Sequence, residues 1–208
     1  MEKRRIVVIQ GCLAAGKSVF ARRLGQVSGV PCLTKDGFKA ALCGHTSLAD
    51  RAESSRFSAA AFDGMMYTAE QLMAAGWPVI LEGNFVPAGV KAVDEAGTIR
   101  ALVRQYGYLP LTFRFSGDTR VLYRRFLDRE AGGEREEANR LGFVPDYAVF
   151  EGWCRGLDGF AIGGAVLFAD TTDFAAAGLE DLLQAGRRFL GEGSPPGTDT
   201  HFIRKSDD

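Results

Sequence analysis

Eight residues near the start of the chain have the types and spacing of a loop that binds phosphate. Residues 11–18 read Gly-Cys-Leu-Ala-Ala-Gly-Lys-Ser, which matches the pattern G-x-x-x-x-G-K-[ST] at every fixed position. Gly11 and Gly16 allow backbone conformations that a β-carbon would penalise, so successive N–H groups can turn toward phosphate oxygens. Lys17 would bring a positive charge to the β- and γ-phosphates, and the Ser18 hydroxyl would bind Mg²⁺. The predicted nucleotide-binding residues are Gly11, Cys12, Leu13, Ala14, Ala15, Gly16, Lys17, Ser18 and Val19.

The elements on either side of this loop fit the same role. Residues 5–9 form an apolar run that is β-branched almost throughout, which is typical of a strand buried on both faces of a parallel sheet. Residues 19–27 predict a helix in which Phe20, Leu24 and Val27 share one buried face. The N-terminus of this helix would add its dipole to the phosphate site. The alternative, a glycine-rich turn with an incidental Lys-Ser pair, leaves the flanking strand and helix unexplained.

An acidic residue follows the second predicted strand, at residues 31–34. In an open parallel sheet the carboxyl ends of the strands line the ligand crevice, so Asp36 would face the same opening as the phosphate loop. Its carboxylate could there accept the proton of a substrate hydroxyl that attacks the γ-phosphate. Lys39, one helical turn further, could hold substrate or neutralise developing charge. The alternative is structural, because aspartate is also a preferred N-cap residue before a short helix.

The composition limits the class of protein. A chain of 208 residues with 46% hydrophobic and 25% charged residues predicts one soluble domain at residues 1–190, followed by a disordered tail at residues 191–208. A net charge of −1 argues against binding to nucleic acid or membrane by bulk charge. Four cysteines without a C-x-x-C pair and two histidines leave no ligand set for structural zinc. The longest apolar stretch, residues 159–169, is too short to span a bilayer. We expect a cytoplasmic protein, and the sequence does not indicate its oligomeric state.

The rest of the chain alternates between strands and helices, as an α/β domain should. Strands are predicted at residues 5–9, 31–34, 78–82, 109–115 and 165–169, and helices at residues 19–27, 37–43, 53–75, 87–105, 119–131 and 178–190. In the helix at residues 53–75, two apolar rows that include Met65 and Met73 predict core packing. The chain has no Asn-Lys-x-Asp motif, which argues against a GTPase.

Three features together resemble the P-loop kinases grouped around zeta toxin and chloramphenicol phosphotransferase, with polynucleotide 5′-kinase as a further relative. They are the phosphate loop, the strand that ends in an acid followed three residues later by lysine, and the sequence VILEGNF at residues 79–85 after a long helix. The resemblance covers most of residues 5–190. It implies a P-loop NTPase three-layer sandwich with five parallel strands in the order 2-3-1-4-5, and transfer of the γ-phosphate of ATP, with Mg²⁺, to a hydroxyl. It also implies that Asp36 is the general base and that Lys39 contacts substrate or phosphate.

Glu82 ends the third predicted strand, where many P-loop proteins place an acid near the metal. A carboxylate at this position can hold a water of the Mg²⁺ shell or a substrate hydroxyl. Glutamate is one methylene longer than aspartate, which favours an indirect metal role or a substrate contact over direct ligation. The alternative is an acid satisfied by N–H groups of the neighbouring loop. Asn84 is a second candidate substrate-binding residue in the same loop.

Residues 118–130 predict a helix that carries arginines into a lid. Arg125 and Arg129 are four residues apart and share one helix face, so their guanidinium groups could clamp the transferring phosphoryl group. The resembled kinases place an arginine-bearing lid helix at this point of the chain. The alternative is a solvated face whose arginines pair with Asp128 and Glu130.

The lid and the insertion after it cover about residues 118–160. Aromatic residues of this insertion could form a wall of the acceptor pocket or could attach the loop to the domain. They are Phe143, Tyr147, Phe150 and Trp153. The strand at residues 165–169 closes the sheet, and the resemblance places the turn after it near the adenine.

The sequence therefore predicts a Mg·ATP-dependent phosphotransferase, with Asp36 as base and Lys17, Arg125 and Arg129 as the groups that stabilise charge. Its acceptor would be a hydroxyl of a small molecule such as an antibiotic, a sugar nucleotide or a metabolite. Two alternatives stay open at this point. They are a polynucleotide 5′-hydroxyl kinase and a nucleotide-dependent regulator with weak ATPase activity.

Overall fold

The computed structural model describes residues 4–44, 51–87, 93–132 and 144–191. The strands are β1 (Arg5–Gly11), β2 (Cys32–Thr34), β3 (Val79–Glu82), β4 (Leu109–Ser116) and β5 (Ala165–Asp170). The helices are α1 (Lys17–Ser28), α2 (Lys35–Cys43), α3 (Arg51–Ala74), α4 (Glu95–Tyr106), α5 (Thr119–Ala131), α6 (Tyr147–Arg155) and α7 (Leu179–Gly191). Within these four described ranges, no helix combines the length and the apolar character needed to cross a membrane.

The five strands form one parallel sheet in the order β2-β3-β1-β4-β5. The predicted fold and strand order are confirmed. Ile9 pairs with Glu82 across β1 and β3, and Thr34 pairs with Glu82 across β2 and β3. Because these residues lie in line near the carboxyl ends of adjacent strands, the loops that follow all open at one edge of the sheet.

Helices cover both faces of the sheet and give the three layers. All seven residues of β1 are buried, and their side chains alternate between two hydrophobic clusters. Val7 and Ile9 pack with residues of α1, α5 and α7, whereas Ile6 and Val8 pack with residues of α3 and α4. The continuous apolar run of β1 therefore reflects a central strand with a core on each side, as expected.

The apolar rows of α3 lie where their spacing predicted, and α5 also buries an apolar face. Met65 and Met73 of α3 are fully buried against the sheet, as are Leu122 and Phe126 of α5. Val27 is the exception in α1, since it is 45% exposed. It lies in the last turn, where the helix extends past the core that covers Phe20 and Leu24.

The start of α4 differs from the prediction of a helix from residue 87. The helix begins at Glu95, and the carboxylate of Asp94 accepts a hydrogen bond from the N–H of Gly97 at 2.8 Å as its N-cap. A capping side chain that satisfies an otherwise unpaired N–H fixes the first turn there. The chain from Phe85 to Pro87 is not helical, and residues 88–92 lie outside the described part.

Other predictions fall wholly or partly outside the described residues. The expected disordered tail does so from residue 192 onward, and so does Phe143 of the insertion. The later part of the insertion contains the helix α6, which the sequence did not predict.

Candidate active site

A cleft of ≈560 Å³ opens at the carboxyl edge of the sheet. Most residues that the sequence singled out line it, namely Leu13, Ala14, Ala15, Gly16, Lys17, Ser18, Val19, Asp36, Glu82, Asn84, Arg125 and Arg129. Gly11, Cys12 and Lys39 do not line it. The fold thus brings the phosphate loop, both acids and both arginines to one place.

The phosphate loop has the backbone conformation that its glycines allow. Gly11 has a φ of 140°, and a β-carbon there would lie 1.9 Å from the carbonyl oxygen of Phe115. Gly16 has a φ of 84°. Ala14 also adopts a positive φ, 58°, which costs roughly 1–2 kcal/mol for a residue with a side chain. A strained residue within an otherwise regular fold suggests a conformation retained for binding.

Lys17 is a buried cation at the start of α1. The residue is 6% exposed. Its Nζ donates a hydrogen bond to the carbonyl oxygen of Cys12 at 2.6 Å. Burial lowers the pKa of Lys17, while the nearby carboxylates of Glu82 and Asp36 act in the opposite direction. An anion brought next to this ammonium would favour its charged form further.

Ser18 and Glu82 form the pair that suits a divalent cation. The Ser18 hydroxyl donates to Oε1 of Glu82 at 3.2 Å. Burial raises the pKa of Glu82, which is 4% exposed, and the charge of Lys17 opposes that rise. Mg²⁺ prefers oxygen ligands and is commonly held by one or two side chains together with substrate phosphates. The hydroxyl and the carboxylate fit this chemistry. Among the described residues, no group of three or more acids, histidines or cysteines is placed to hold a metal ion by itself.

Asp36 lies in the first turn of α2, which begins two residues earlier than predicted. The N-cap position belongs to Thr34, whose backbone is extended, so Asp36 is not the N-cap residue of the structural alternative. Its side chain is exposed and lines the cleft opposite the phosphate loop. Lys39 lies one turn further along α2 and is half-buried. The Asp36 side chain therefore borders the space that a molecule in the cleft would occupy.

Arg125 makes contacts that the sequence did not predict. Its guanidinium donates to the carbonyl oxygens of Thr171 and Thr172 at 2.5 and 2.9 Å. It also stacks on the ring of Phe174, 4.2 Å from the ring centroid. A β-carbon on Gly16 would lie 2.9 Å from that ring, so Phe174 covers the end of the phosphate loop. Arg125 is thus tied to the chain after β5, whereas Arg129 lines the cleft one turn further along α5.

Five residues of the cleft lining were not among the predicted site residues: Arg22, Gly83, Phe126, Asp128 and Phe174. Arg22 follows Ser18 by four residues, so helical spacing could have placed both on one face of α1. Its charge also lowers the pKa of Glu82. Asp128 appeared only as a partner for the arginines, and Phe174 had no signal beyond its place after the last strand.

The aromatic residues of α6 attach this helix to α5. Tyr147 and Phe150 both lie against Tyr123. The centroid of the Tyr123 ring is 5.6 Å from that of Tyr147 and 5.3 Å from that of Phe150. Phe150 is fully buried, and the hydroxyl of Tyr123 donates to the carbonyl of Pro145 at 2.7 Å. Tyr147, Phe150 and Trp153 do not line the cleft. Of the two interpretations of these aromatics, the contacts support the packing role.

Comparison with known proteins gives a family and several structural neighbours. A family model described as AAA domain matches residues 6–143. The structure of a "putative kinase" from Chloroflexus aurantiacus is 26% identical and has a TM-score of 0.76, covering 93% of this chain and 100% of that one. The search of curated protein sequences gave no significant match.

Two more distant structures share the fold. A sugar kinase from Janibacter is 15% identical with a TM-score of 0.53, and covers 89% of this chain and 94% of its own. A component of the PezAT toxin-antitoxin system of Streptococcus pneumoniae is 16% identical with a TM-score of 0.53, and covers 92% of this chain and 88% of its own. At these identities the likeness concerns the fold alone.

Proposed function

Because the chain belongs to the AAA domain family, we propose that it uses this cleft as a Mg·ATP-dependent phosphotransferase with a small hydroxyl-bearing acceptor. The observation that carries the proposal is the meeting of Lys17, Ser18 and Asp36 in one cleft. A phosphate loop alone would serve any nucleotide-binding protein, whereas a carboxylate opposite it suits transfer to a hydroxyl. The resemblance of the whole chain to the Chloroflexus protein supports the same class of reaction.

The chain's own residues divide the reaction between two sides of the cleft. On the nucleotide side the loop at residues 13–18 binds the phosphates, and Lys17 neutralises charge on the transferring group. Ser18 and Glu82 would hold Mg²⁺, which would neutralise charge on the β- and γ-phosphate oxygens. On the acceptor side Asp36 takes the hydroxyl proton as the new O–P bond forms and the bond between the γ-phosphoryl group and ADP breaks.

Asn84 supports the acceptor side of this proposal. Its side-chain oxygen is buried at the cleft and has no hydrogen-bond partner among the described residues. A buried acceptor atom without a donor costs free energy unless something supplies one. A substrate hydroxyl or amine bound between Asn84 and Asp36 would do so. Lys39 would contact substrate only beyond the rim of the cleft.

The acid after β2 with a lysine three residues later also supports a place near zeta toxin and chloramphenicol phosphotransferase. The corresponding residues are Asp36 and Lys39. The short loop between Glu82 and Val86, which follows β3 directly, lies beside them in the fold. We therefore favour a small molecule over a polynucleotide as the acceptor, in agreement with a net charge of −1.

Phe174 and Arg125 offer flat surfaces for the nucleotide base beside the phosphate loop. We expect Phe174→Ala to weaken Mg·ATP binding roughly ten-fold, because stacking of a base on an aromatic ring contributes about 1–3 kcal/mol. A titration with a fluorescent ATP analogue, competed by ATP, measures the change in Kd. Tyr67→Ala removes a more exposed aromatic from α3, outside the cleft, and should leave the Kd unchanged. Equal affinities for the wild type and Phe174→Ala would place the base elsewhere.

Protonation of Glu82 should lower kcat/KM for Mg·ATP at acidic pH, and this fall should begin at a higher pH than for an ordinary glutamate. Burial raises its pKa above 4.5, so protonation begins at a higher pH as the solution is acidified. The neutral carboxyl no longer attracts the cation, and kcat/KM for Mg·ATP should therefore fall as pH falls through that pKa. A pH profile of kcat/KM measures this acidic limb. In Glu82→Gln we expect a lower kcat/KM at neutral pH and no such fall toward acidic pH. Glu180→Gln, on the surface of α7, should retain it, and a limb that persists in Glu82→Gln belongs to another group.

The function itself is tested by a screen of hydroxyl-bearing compounds for ATP-dependent gain of one phosphoryl group, read by mass spectrometry. Antibiotics, sugars, sugar nucleotides and short single-stranded oligonucleotides belong in the panel. A phosphorylated small molecule, made by the wild type and lost in Asp36→Asn, is the expected result. ADP formed without any phosphorylated acceptor would instead indicate a nucleotide-dependent regulator, and a phosphorylated oligonucleotide would indicate a polynucleotide kinase.

A further inference from the structure

A buried ion pair lies directly beside the proposed base. The ammonium of Lys35, the residue before Asp36, contacts Oε1 of Glu95 in the first turn of α4. The two side chains are 7% and 4% exposed. The pair does not line the cleft, and no part of the proposed reaction uses it.

The pair connects the two segments that carry the acceptor side of the cleft. They are the first turn of α2, with Asp36, and the chain after β3, with Asn84. The second oxygen of Glu95 accepts a hydrogen bond from the backbone N–H of Val86 at 3.0 Å. The β-carbon of Lys35 lies 3.1 Å from the β-carbon position of Gly83. Val86 and Gly83 belong to the chain that follows β3 and carries Asn84. Lys35 therefore joins the first turn of α2 to that chain through Glu95, and its stem lies where a side chain on residue 83 would have to go.

The same ammonium is fixed from a third direction. It lies 5.4 Å from the centroid of the Phe62 ring in α3, within the range of a cation–π contact. Successive helical residues point about 100° apart around the axis. A Lys35 side chain held in the interior therefore sets the direction in which Asp36 leaves the same turn, and Asp36 reaches the cleft.

Stability alone does not explain why charged residues occupy this buried site. A buried ion pair must be desolvated, and apolar residues of similar volume are often as stabilising or more so. A directional ion pair can instead supply a fixed geometry. We propose that Lys35 and Glu95 are positioning residues that hold the Asp36 carboxylate at the distance from the loop carrying Asn84 that proton transfer to Asp36 requires. This inference rests on the proposed function, in which Asp36 is the base.

The test replaces the pair by neutral groups of similar size, in Lys35→Met/Glu95→Gln. The glutamine can still accept from Val86, so the fold is expected to persist. With water as acceptor, ADP release from Mg·ATP should fall by about ten-fold or more, because misplacement by about 1 Å of a reacting group can cost up to about 10²-fold. The Kd for Mg·ATP should stay unchanged, since neither residue of the pair lines the cleft that the phosphate loop lines. The matched control is Arg23→Met/Glu180→Gln, which removes an exposed pair between α1 and α7 and should alter neither value.

Repeating the substitution in an Asp36→Asn background separates positioning from general destabilisation. A pair that acts through Asp36 has no further effect on kcat once the carboxylate is absent. An equal loss in both backgrounds, a loss of Mg·ATP affinity, or unchanged turnover in the wild-type background would each overturn the inference. Should the neutral variant fail to fold, Lys35→Arg keeps the charge pair but inserts a larger planar group, and the same loss of kcat at constant Kd is expected.

These outcomes also distinguish the inference from its premise. If Asp36→Asn alone hydrolyses ATP at the wild-type rate, the assignment of the base fails, and the positioning role fails with it. If Asp36→Asn is impaired but the pair variant is not, only the positioning role fails.

Discussion

Lys17→Met is expected to abolish ATP turnover and to remove the stabilisation that Mg·ATP gives the folded protein. The substitution keeps the length of a side chain that is almost completely buried but removes the charge that would meet the phosphates. Loss of a group that stabilises charge in the transition state costs about 10²–10³ in rate. A ligand at 100 times its Kd stabilises a protein by about 2.7 kcal/mol, and thermal unfolding with and without Mg·ATP measures whether that gain disappears.

The control for this prediction is Arg23→Met on the same helix. Arg23 is an exposed cation that pairs with Glu180 and lies outside the cleft, so its loss should change neither turnover nor the response to nucleotide. Without nucleotide, Lys17→Met should unfold at a temperature close to that of the wild type, because burial already disfavours the charged form of Lys17. Turnover retained by Lys17→Met would remove the phosphate loop from the mechanism.

The sequence predicted the parts of the site that depend on local pattern. The candidate phosphate loop could be proposed from the sequence because its glycines, lysine and serine are neighbours in the chain and each has a separate physical role. Asp36 and Glu82 could be placed at the same edge because both follow strands of a parallel sheet. The strand order came from the resemblance to known kinases, since the apolar runs alone do not say which strand pairs with which.

The parts that the sequence could not predict depend on distant pairings. Arg125 has the spacing of a phosphate clamp, yet its hydrogen-bond partners are the carbonyls of Thr171 and Thr172, 46 and 47 residues away. Lys35 and Glu95 are 60 residues apart, and neither has a local pattern that predicts a buried pair. Such contacts appear only when the sheet and its loops are assembled.

The charges in the cleft are arranged so that the phosphate loop is ready for an anion. Lys17 and Glu82 are both buried, and burial works against the charged form of each while their mutual attraction favours it. Phosphates would bring negative charge to Lys17, and a divalent cation would bring positive charge to Glu82. Binding both together would therefore offset two desolvation costs at once, which predicts that ATP and Mg²⁺ each strengthen binding of the other.

Asp36→Asn is expected to retain Mg·ATP binding while transfer to the acceptor falls by about 10² or more, the range for loss of general-base catalysis. Asparagine has the same size and can still hydrogen-bond the acceptor hydroxyl, but it cannot take its proton. A role limited to the helix dipole would give a different result, since a charge in the first turn contributes only about 0.3–1 kcal/mol of stability. The kinetics would then be normal and the protein slightly less stable.

The control for the base is Asp146→Asn, because Asp146 caps α6 by accepting from the N–H of Val149 at 2.8 Å and lies outside the cleft. It tests what the loss of an acid at a helix start does without any role in catalysis, and kcat should not change. A pre-steady-state measurement sharpens the comparison. If Asp36 acts on the chemical step, single-turnover transfer should slow in Asp36→Asn by the same factor as kcat, whereas an effect on product release would leave the single turnover fast. Since Asp36 lines the same cleft as the phosphate loop, the slow single turnover is the result that the geometry predicts.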